Sequence, residues 1–348
     1  MIEIDGAQKS GSGTLVRFAI ALCTLLALPA RIFRIREKRE KPGLRPQHLQ
    51  AVKACAMLCS GRLEGAEVGS REIVYYPGKN LLRGGAYEWD IGTAGSATMM
   101  TLALVPIALF SGGKSRFIIR GGLFQDFAPT AFHLQKVLFP TLARMGASVR
   151  LEIKRPGYVP RGGGELVVHV EPLNGPLRPF ERIEQGRIGR IEGISLASHL
   201  DGEKVARRMA DSCEALLAQA GYRSEIQTIE DNTAVQKGAA LLLWAETSTG
   251  CLIGSDRAGK RGRRSEAIAE HAVDALFEDL STGATVDRFA ADQLILFAGL
   301  ALGRSTYKVP SQSDHIESNL WLIEKILGAR IEGDGKLLTI HGAGFTRK

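Results

Sequence analysis

The stretch DIGTAGSATMMTLALVPIALF, residues 90–110, decides how the chain is read. A Gly-Thr-Ala-Gly-Ser turn opens it, and a long apolar helical pattern follows. Next come the basic strand pattern SRFIIR (115–120) and PTAFHLQKVLFPTLARMGASVRLEI (129–153), a second amphipathic helix ending in a Gly-Ala turn and another strand. The same order stands upstream: DGAQKSGSGTLVRFAIALCTLLAL (5–28), RIFRIR (31–36), RPQHLQAVKACAMLCSG (45–61) and RLEGAEV (62–68). The tripeptide HLQ recurs in the second helix of both copies, at His48 and His133. A third copy closes the chain, with RFAADQLILFAGLALG (288–303), STYKV (305–309) and SDHIESNLWLIEKILGARIE (313–332). The expected class is α/β (α+β), a large domain of three repeated two-helix, four-strand units.

Between the second and third copies the character changes. The helix pattern KVARRMADSCEALLAQAGY stops at Gly221, two strand patterns follow (EIQTIE and AALLLWAET), and the basic loop DRAGKRGRRSE leads into the helix AIAEHAVDALFEDL. This predicts a smaller inserted α/β domain over 183–283, with the large domain formed by 1–182 and 284–348.

The chain has 348 residues, 45 Lys+Arg against 37 Asp+Glu, and a net charge of +8, a balance that suits a polyanionic partner and equally suits plain solubility. Its five cysteines form no disulfide framework, and no stretch reads as a signal peptide, which together predict a reducing, cytoplasmic setting. The longest apolar run, Leu15 to Pro29, contains Arg17 and is too short to span a bilayer, so no membrane partner is expected.

Three segments suit phosphate: SGSGTLVR, GTAGSAT and RGGG (161–164). Glycines and hydroxyls there precede backbone N–H groups that attract anions, and each also reads as a tight turn. None is a P-loop, since no Gly-Lys-Ser/Thr closes it. In IREKREKPGLRPQH, Arg34 and Arg36 alternate on a predicted strand, and Arg39, Lys41, Arg45, Gln47 and His48 follow in a loop. Clustered guanidinium groups can grip phosphate oxygens in pairs. Among seven histidines, only His48 and His315 stand in polar loops at helix entrances, where a neutral imidazole can act as a nucleophile.

Six segments, in order, carry a likeness: IDGAQKSGSGTLVRFAIAL, IREKREKPGLRPQHLQAVKA, DIGTAGSAT, GYVPRGGGEL, AADQLILFAGLALG and PSQSDH. Together they resemble RNA 3'-terminal phosphate cyclases over nearly the whole chain. The resemblance implies ATP-dependent conversion of an RNA 3'-terminal phosphate to a 2',3'-cyclic phosphate, through histidyl–AMP and RNA-adenylate intermediates. It places His315 as the nucleophile. It puts Phe289, Ala290, Ala291, Asp292 and Gln293 along the nucleotide, together with Leu102, where many relatives carry a glutamine. It gives Arg17, Arg36, Arg39, Gln47 and His48 to phosphates or the RNA end. A divalent cation, magnesium or manganese, is implied, but Ser10 and Thr14 stand where the family has a glutamate and a glutamine, so its ligands are unassigned. The implied partners are ATP and RNA 3'-phosphate ends, and a second copy of the chain, forming a homodimer, is a further candidate. The alternative class is a non-catalytic cyclase-like factor in RNA processing and ribosome biogenesis, which lacks the nucleophile that His315 supplies. A small-molecule transferase of enolpyruvyl type is a third, less matched class.

Overall fold

A computed structural model describes residues 1–78, 82–333 and 335–346. It is a mixed α/β structure with four four-stranded sheets. The first sheet has the order β1-β2-β4-β3: β1 (Ile2–Asp5), β2 (Ala30–Phe33), β3 (Arg62–Glu64) and β4 (Ile73–Tyr76). The second has the order β5-β6-β8-β7: β5 (Gly85–Asp90), β6 (Ser115–Gly121), β7 (Ser148–Arg155) and β8 (Gly164–Glu171). A strand at Glu181–Arg182, β9, belongs to the last sheet. The third sheet, β11-β10-β12-β13, is built from β10 (Ile188–Ser198), β11 (Ser224–Asp231), β12 (Gly238–Thr247) and β13 (Leu252–Ala258). The last has the order β15-β16-β14-β9, with β14 (Leu302–Lys308), β15 (Arg330–Glu332) and β16 (Leu337–Ala343). In the first, second and last sheets the chain's first two strands pair in parallel and the other pairings are antiparallel.

The helices follow from local chemistry. In α1 (Gly13–Leu25) the Ser12 hydroxyl caps the start by accepting from the Thr14 N–H, and every residue is buried. Pro46 opens α2 (Pro46–Leu58), at a position where its missing N–H costs nothing. The residues of α3 (Ala97–Leu109) are buried on all sides, as an unbroken apolar helix must be, and Ser96 caps it. The run 131–144 is a short α4 (Ala131–His133), a π-turn (Leu134–Leu138) and α5 (Phe139–Arg144). Then come α6 (Val205–Gln219), α7 (Ser265–Ser281), α8 (Arg288–Leu300) and α9 (Asp314–Leu327), the last ended by Gly328 at φ 67. Helix α1 touches α2, α3 and α9, and α9 touches α8.

The third sheet is covered on both faces. Leu241, Leu243, Ala245 and Ile253 pack with Met209, Cys213 and Leu276 of α6 and α7. Ile194, Leu196, Leu242 and Trp244 join the larger core. Successive side chains of a strand point to opposite faces, so the unbroken apolar run AALLLWAE supplies both cores.

Two sequence readings are corrected here. RIFRIR is a strand only to Phe33, because Arg34 and Arg36 take left-handed backbone angles (φ 51 and φ 55) that break the alternation. Asp256, Arg257 and Ala258 of DRAGKRGRRSE lie in β13, paired with Leu242, Leu241 and Ala240, so the basic loop is shorter than predicted.

Candidate active site

The starts of α1, α2 and α9 meet beside α8. Ser313 caps α9 by accepting from the Ile316 N–H, which puts His315 in the first turn. The Ser318 hydroxyl donates to the Asp314 carbonyl (2.6 Å), lies 2.7 Å from the Ser10 hydroxyl and accepts from the Ser10 N–H (3.0 Å). A buried hydroxyl cluster thus ties α9 to the loop before α1. Asn319 ties it to α8, donating to the Asp292 carbonyl at 2.8 Å.

The His315 side chain is 42% exposed, yet its Nδ1 is buried without a hydrogen-bond partner, 4.0 Å from the Asp292 carboxylate. The open side of the ring is therefore the Nε2 side. Burial, then Arg39 and Arg17, hold the imidazole below its ordinary pKa, while Asp314 opposes them, so the ring is neutral at pH 7. Burial pushes the Asp292 carboxyl up to about 7, although Gln293 donates to it at 2.8 Å. Arg17 is buried in α1 with its Nε unpartnered, and its guanidinium is lowered to about 10 by burial and by Arg36, against the pull of Asp292.

His48 is buried, with Nδ1 accepting from the Arg45 N–H at 3.1 Å. Burial and the cations Arg17, Arg36 and Arg45 keep it neutral. Its ring lies so close to the start of α1 that a Cβ on Gly13 would be 2.0 Å from Nε2. Gln47 accepts from the Ser96 N–H at 2.6 Å and so joins the starts of α2 and α3. Arg36 is half-buried, folded onto the carbonyls of Lys41 and Gly43, and Arg39 is exposed.

The structure thus brings His315, Asp292, Gln293, Arg17, Arg36, Arg39, Gln47 and His48 into one neighbourhood. Phe289 is half-buried beside the His133 ring, and Ala290 and Ala291 are buried in the first turn of α8. Leu102 has no exposed surface and sits within the core. His48, read as a loop residue, is instead an enclosed one. The arrangement can hold a neutral nitrogen nucleophile in a field of fixed positive charge, which suits attack on a phosphate ester.

For a divalent cation, no group of three or more His, Cys, Asp or Glu side chains occurs among the described residues. Magnesium bound chiefly by substrate phosphates and water needs only one or two carboxylates. Asp292 is a single buried carboxylate, and the Ser10 and Ser12 hydroxyls are taken up in bonds to each other, to Ser318 and to the Thr14 N–H, so the described residues form no pre-built cation site.

The profile of the RNA 3'-terminal phosphate cyclases matches residues 8–332. The chain belongs to that family. A cyclase of Pyrobaculum neutrophilum is 35% identical over 348 residues, covering 99% of each chain. One of Nitrosospira multiformis is 39% identical over 336 residues, covering 95% of this chain and 93% of that one. One of Thermococcus kodakarensis is 37% identical, covering 97% and 95%. A solved EPSP synthase of Acinetobacter baumannii overlays with a TM-score of 0.24 at 9% identity, covering 64% of this chain and 56% of that one, too slight a match to inform the fold.

In this cyclase-family chain, Ser318 and Asn319 escaped the sequence reading although they hold the helix of His315 in place. Their signal was present: two small polar residues interrupt the buried face of α9, at Asp314+4 and His315+4.

Proposed function

We propose that the protein is an RNA 3'-terminal phosphate cyclase that uses ATP. The half-exposed, neutral His315, with Nδ1 turned in toward Asp292 and Nε2 outward, carries this reading. Nε2 attacks the α-phosphorus, an N–P bond forms, and the bond to the pyrophosphate oxygen breaks. The ring keeps its Nδ1 proton, and the Asp292 carboxyl 4.0 Å away orients the imidazole and opposes the positive charge it gains until the adenylyl group leaves. An oxygen of the RNA 3'-phosphate next attacks the adenylyl phosphorus and breaks the N–P bond. Finally the 2'-hydroxyl attacks the activated 3'-phosphorus, the bond to the AMP phosphate oxygen breaks, the hydroxyl proton leaves with AMP, and the 2',3'-cyclic phosphate closes. Arg17, Arg36 and Arg39 stabilise the charge on the non-bridging oxygens. Gln47 and His48 position the loop, and of the α8 residues Asp292 and Gln293 border the nucleotide, while Phe289 packs on His133 and Ala290 and Ala291 are buried. A magnesium or manganese ion carried on the ATP phosphates would neutralise the departing pyrophosphate.

The related reading of three repeated units, 1–182 and 284–348, around a domain inserted at 183–283 is supported by the shared strand order of three of the sheets. Residues 334, 347 and 348 of the last unit lie outside the described residues. The non-catalytic alternative is not favoured, because the relatives above are named as cyclases and the nucleophile is present. No helix is long and apolar enough to cross a membrane among the described residues. The test is His315→Ala incubated with ATP labelled at the α-phosphorus. Loss of the protein–AMP adduct is expected, and an adduct equal to wild type would refute the assignment.

A further inference from the structure

Away from His315, a cavity of about 880 Å³ opens where the starts of α6 and α7 face the loop 158–161. Seven lysine and arginine side chains line it, against one carboxylate, Glu203. Several of these cations are engaged: Arg263 grips Asp126 with two bonds of 2.9 Å, Arg208 is held by Glu266, and Lys237 reaches Glu203. Among the described residues, Arg161, Lys260, Arg261 and Arg264 make no ion pair, and all four are exposed. A concave surface carrying four such charges raises the local concentration of anions.

Its position indicates which anion. The Arg161 N–H donates to Gln236 Oε1 (3.2 Å), and Gln236 donates to the Val159 carbonyl (2.8 Å), which binds the loop to the cavity's far side. The next residue, Gly162, has φ +73, and a Cβ there would meet the Thr93 carbonyl at 2.6 Å. Three residues beyond Thr93, the Ser96 N–H donates to Gln47, the neighbour of His48. One wall is therefore shared: its outer side carries Arg161 and its inner side abuts the turn that borders the candidate active site.

We propose that this cavity is the track for the RNA chain upstream of the reacting end, with Arg161, Lys260, Arg261 and Arg264 holding successive backbone phosphates. A single strand presents evenly spaced charge, which a row of mobile cations matches without reading sequence. The inference rests on the cyclase reading, since it assumes that the 3' end lies at His315.

The test combines Lys260→Gln, Arg261→Gln and Arg264→Gln, and measures fluorescence anisotropy with 3'-phosphorylated RNAs of 12 and 3 nucleotides over a salt series. The 12-mer should bind at least tenfold more weakly. Its log–log salt slope should fall by about 2, at roughly 0.7 for each phosphate no longer neutralised. Binding of the 3-mer, protein–AMP formation from ATP alone and thermal melting should match wild type. Unchanged 12-mer affinity and slope would overturn the proposal. So would lost binding of a poly-glutamate peptide with RNA binding intact, which would mark an acidic polypeptide as the ligand. If wild type forms no AMP adduct, the cyclase reading fails on its own, and the 12-mer comparison still reads the track.

Discussion

Gly13 and His48 illustrate how tightly single residues set the site. Any side chain on Gly13 would occupy the His48 ring's place, 2.0 Å from Nε2. Gly13→Ala should lower stability by about 1–3 kcal/mol through overpacking and should abolish cyclisation. Chemical denaturation and a cyclisation assay check this, and a variant with wild-type stability and turnover would show that the ring moves freely. At His315 the sign of the pH effect follows from its lowered pKa. In the proposed reaction the neutral ring is the nucleophile, so the rate of AMP transfer should hold as pH falls to about 6.5, the ordinary histidine value, and decline only below it. Arg39→Ala removes a cation that disfavours the imidazolium and should shift that acid limb upward. Single-turnover rates from about pH 5 to 8 test both, and an acid limb unmoved by the substitution would remove Arg39 from the site's field.

At the scale of elements, the start of α8 is held by a buried charge cluster. Asp287 caps the helix, accepting from the Phe289 and Ala290 N–H groups at 2.8 Å each and from Gly254 of β13 at 3.0 Å. His133 of α4 donates to it at 3.0 Å. Burial alone would lower the His133 pKa, but Asp287 outweighs it and raises it. The same pairing overcomes burial to lower Asp287, while burial lifts Asp256 to about 6. A raised histidine contributes stability that is complete below about pH 6.5 and is lost as pH rises through its folded value. Asp287, being lowered, contributes above about pH 4 and loses it on acidification. His133→Leu should therefore cost about 3–5 kcal/mol, by leaving a buried carboxylate short of its partner. The deficit should be larger at about pH 6 than at about pH 9. Denaturant melts at the two pH values check it, and a deficit independent of pH would mean that the ring is neutral throughout.

At the scale of the whole molecule, β12 joins two cores. Leu242 lies in the large one and Leu243 in the one under α6 and α7, and both are fully buried. Leu242→Ala and Leu243→Ala should each cost about 2–5 kcal/mol, by cavity formation on opposite faces. If only the Leu243 change destabilises the protein in thermal and denaturant melts, the outer face of that sheet is not a packed interface.

Much of this was legible in the residues themselves. Periodicity marked α1, α3 and α9, because burial on one face or all faces demands a matching apolar pattern. Gly-rich turns marked the strand-to-helix junctions, and the polar segment before Ile316 marked His315 at a helix start. Where sequence reading failed, the deciding quantity was not local. Nothing in RIFRIR announces two left-handed arginines, since their angles serve contacts made with Asp5, Lys41 and Gly43. The composition of α9 does not tell that Ser318 meets Ser10, 308 residues away along the chain. Local pattern determined which segments are helices and strands and which residue types could do chemistry. Only the tertiary structure decided which of those residues share a field, because burial and Coulomb interaction depend on distance in space and not on separation along the chain.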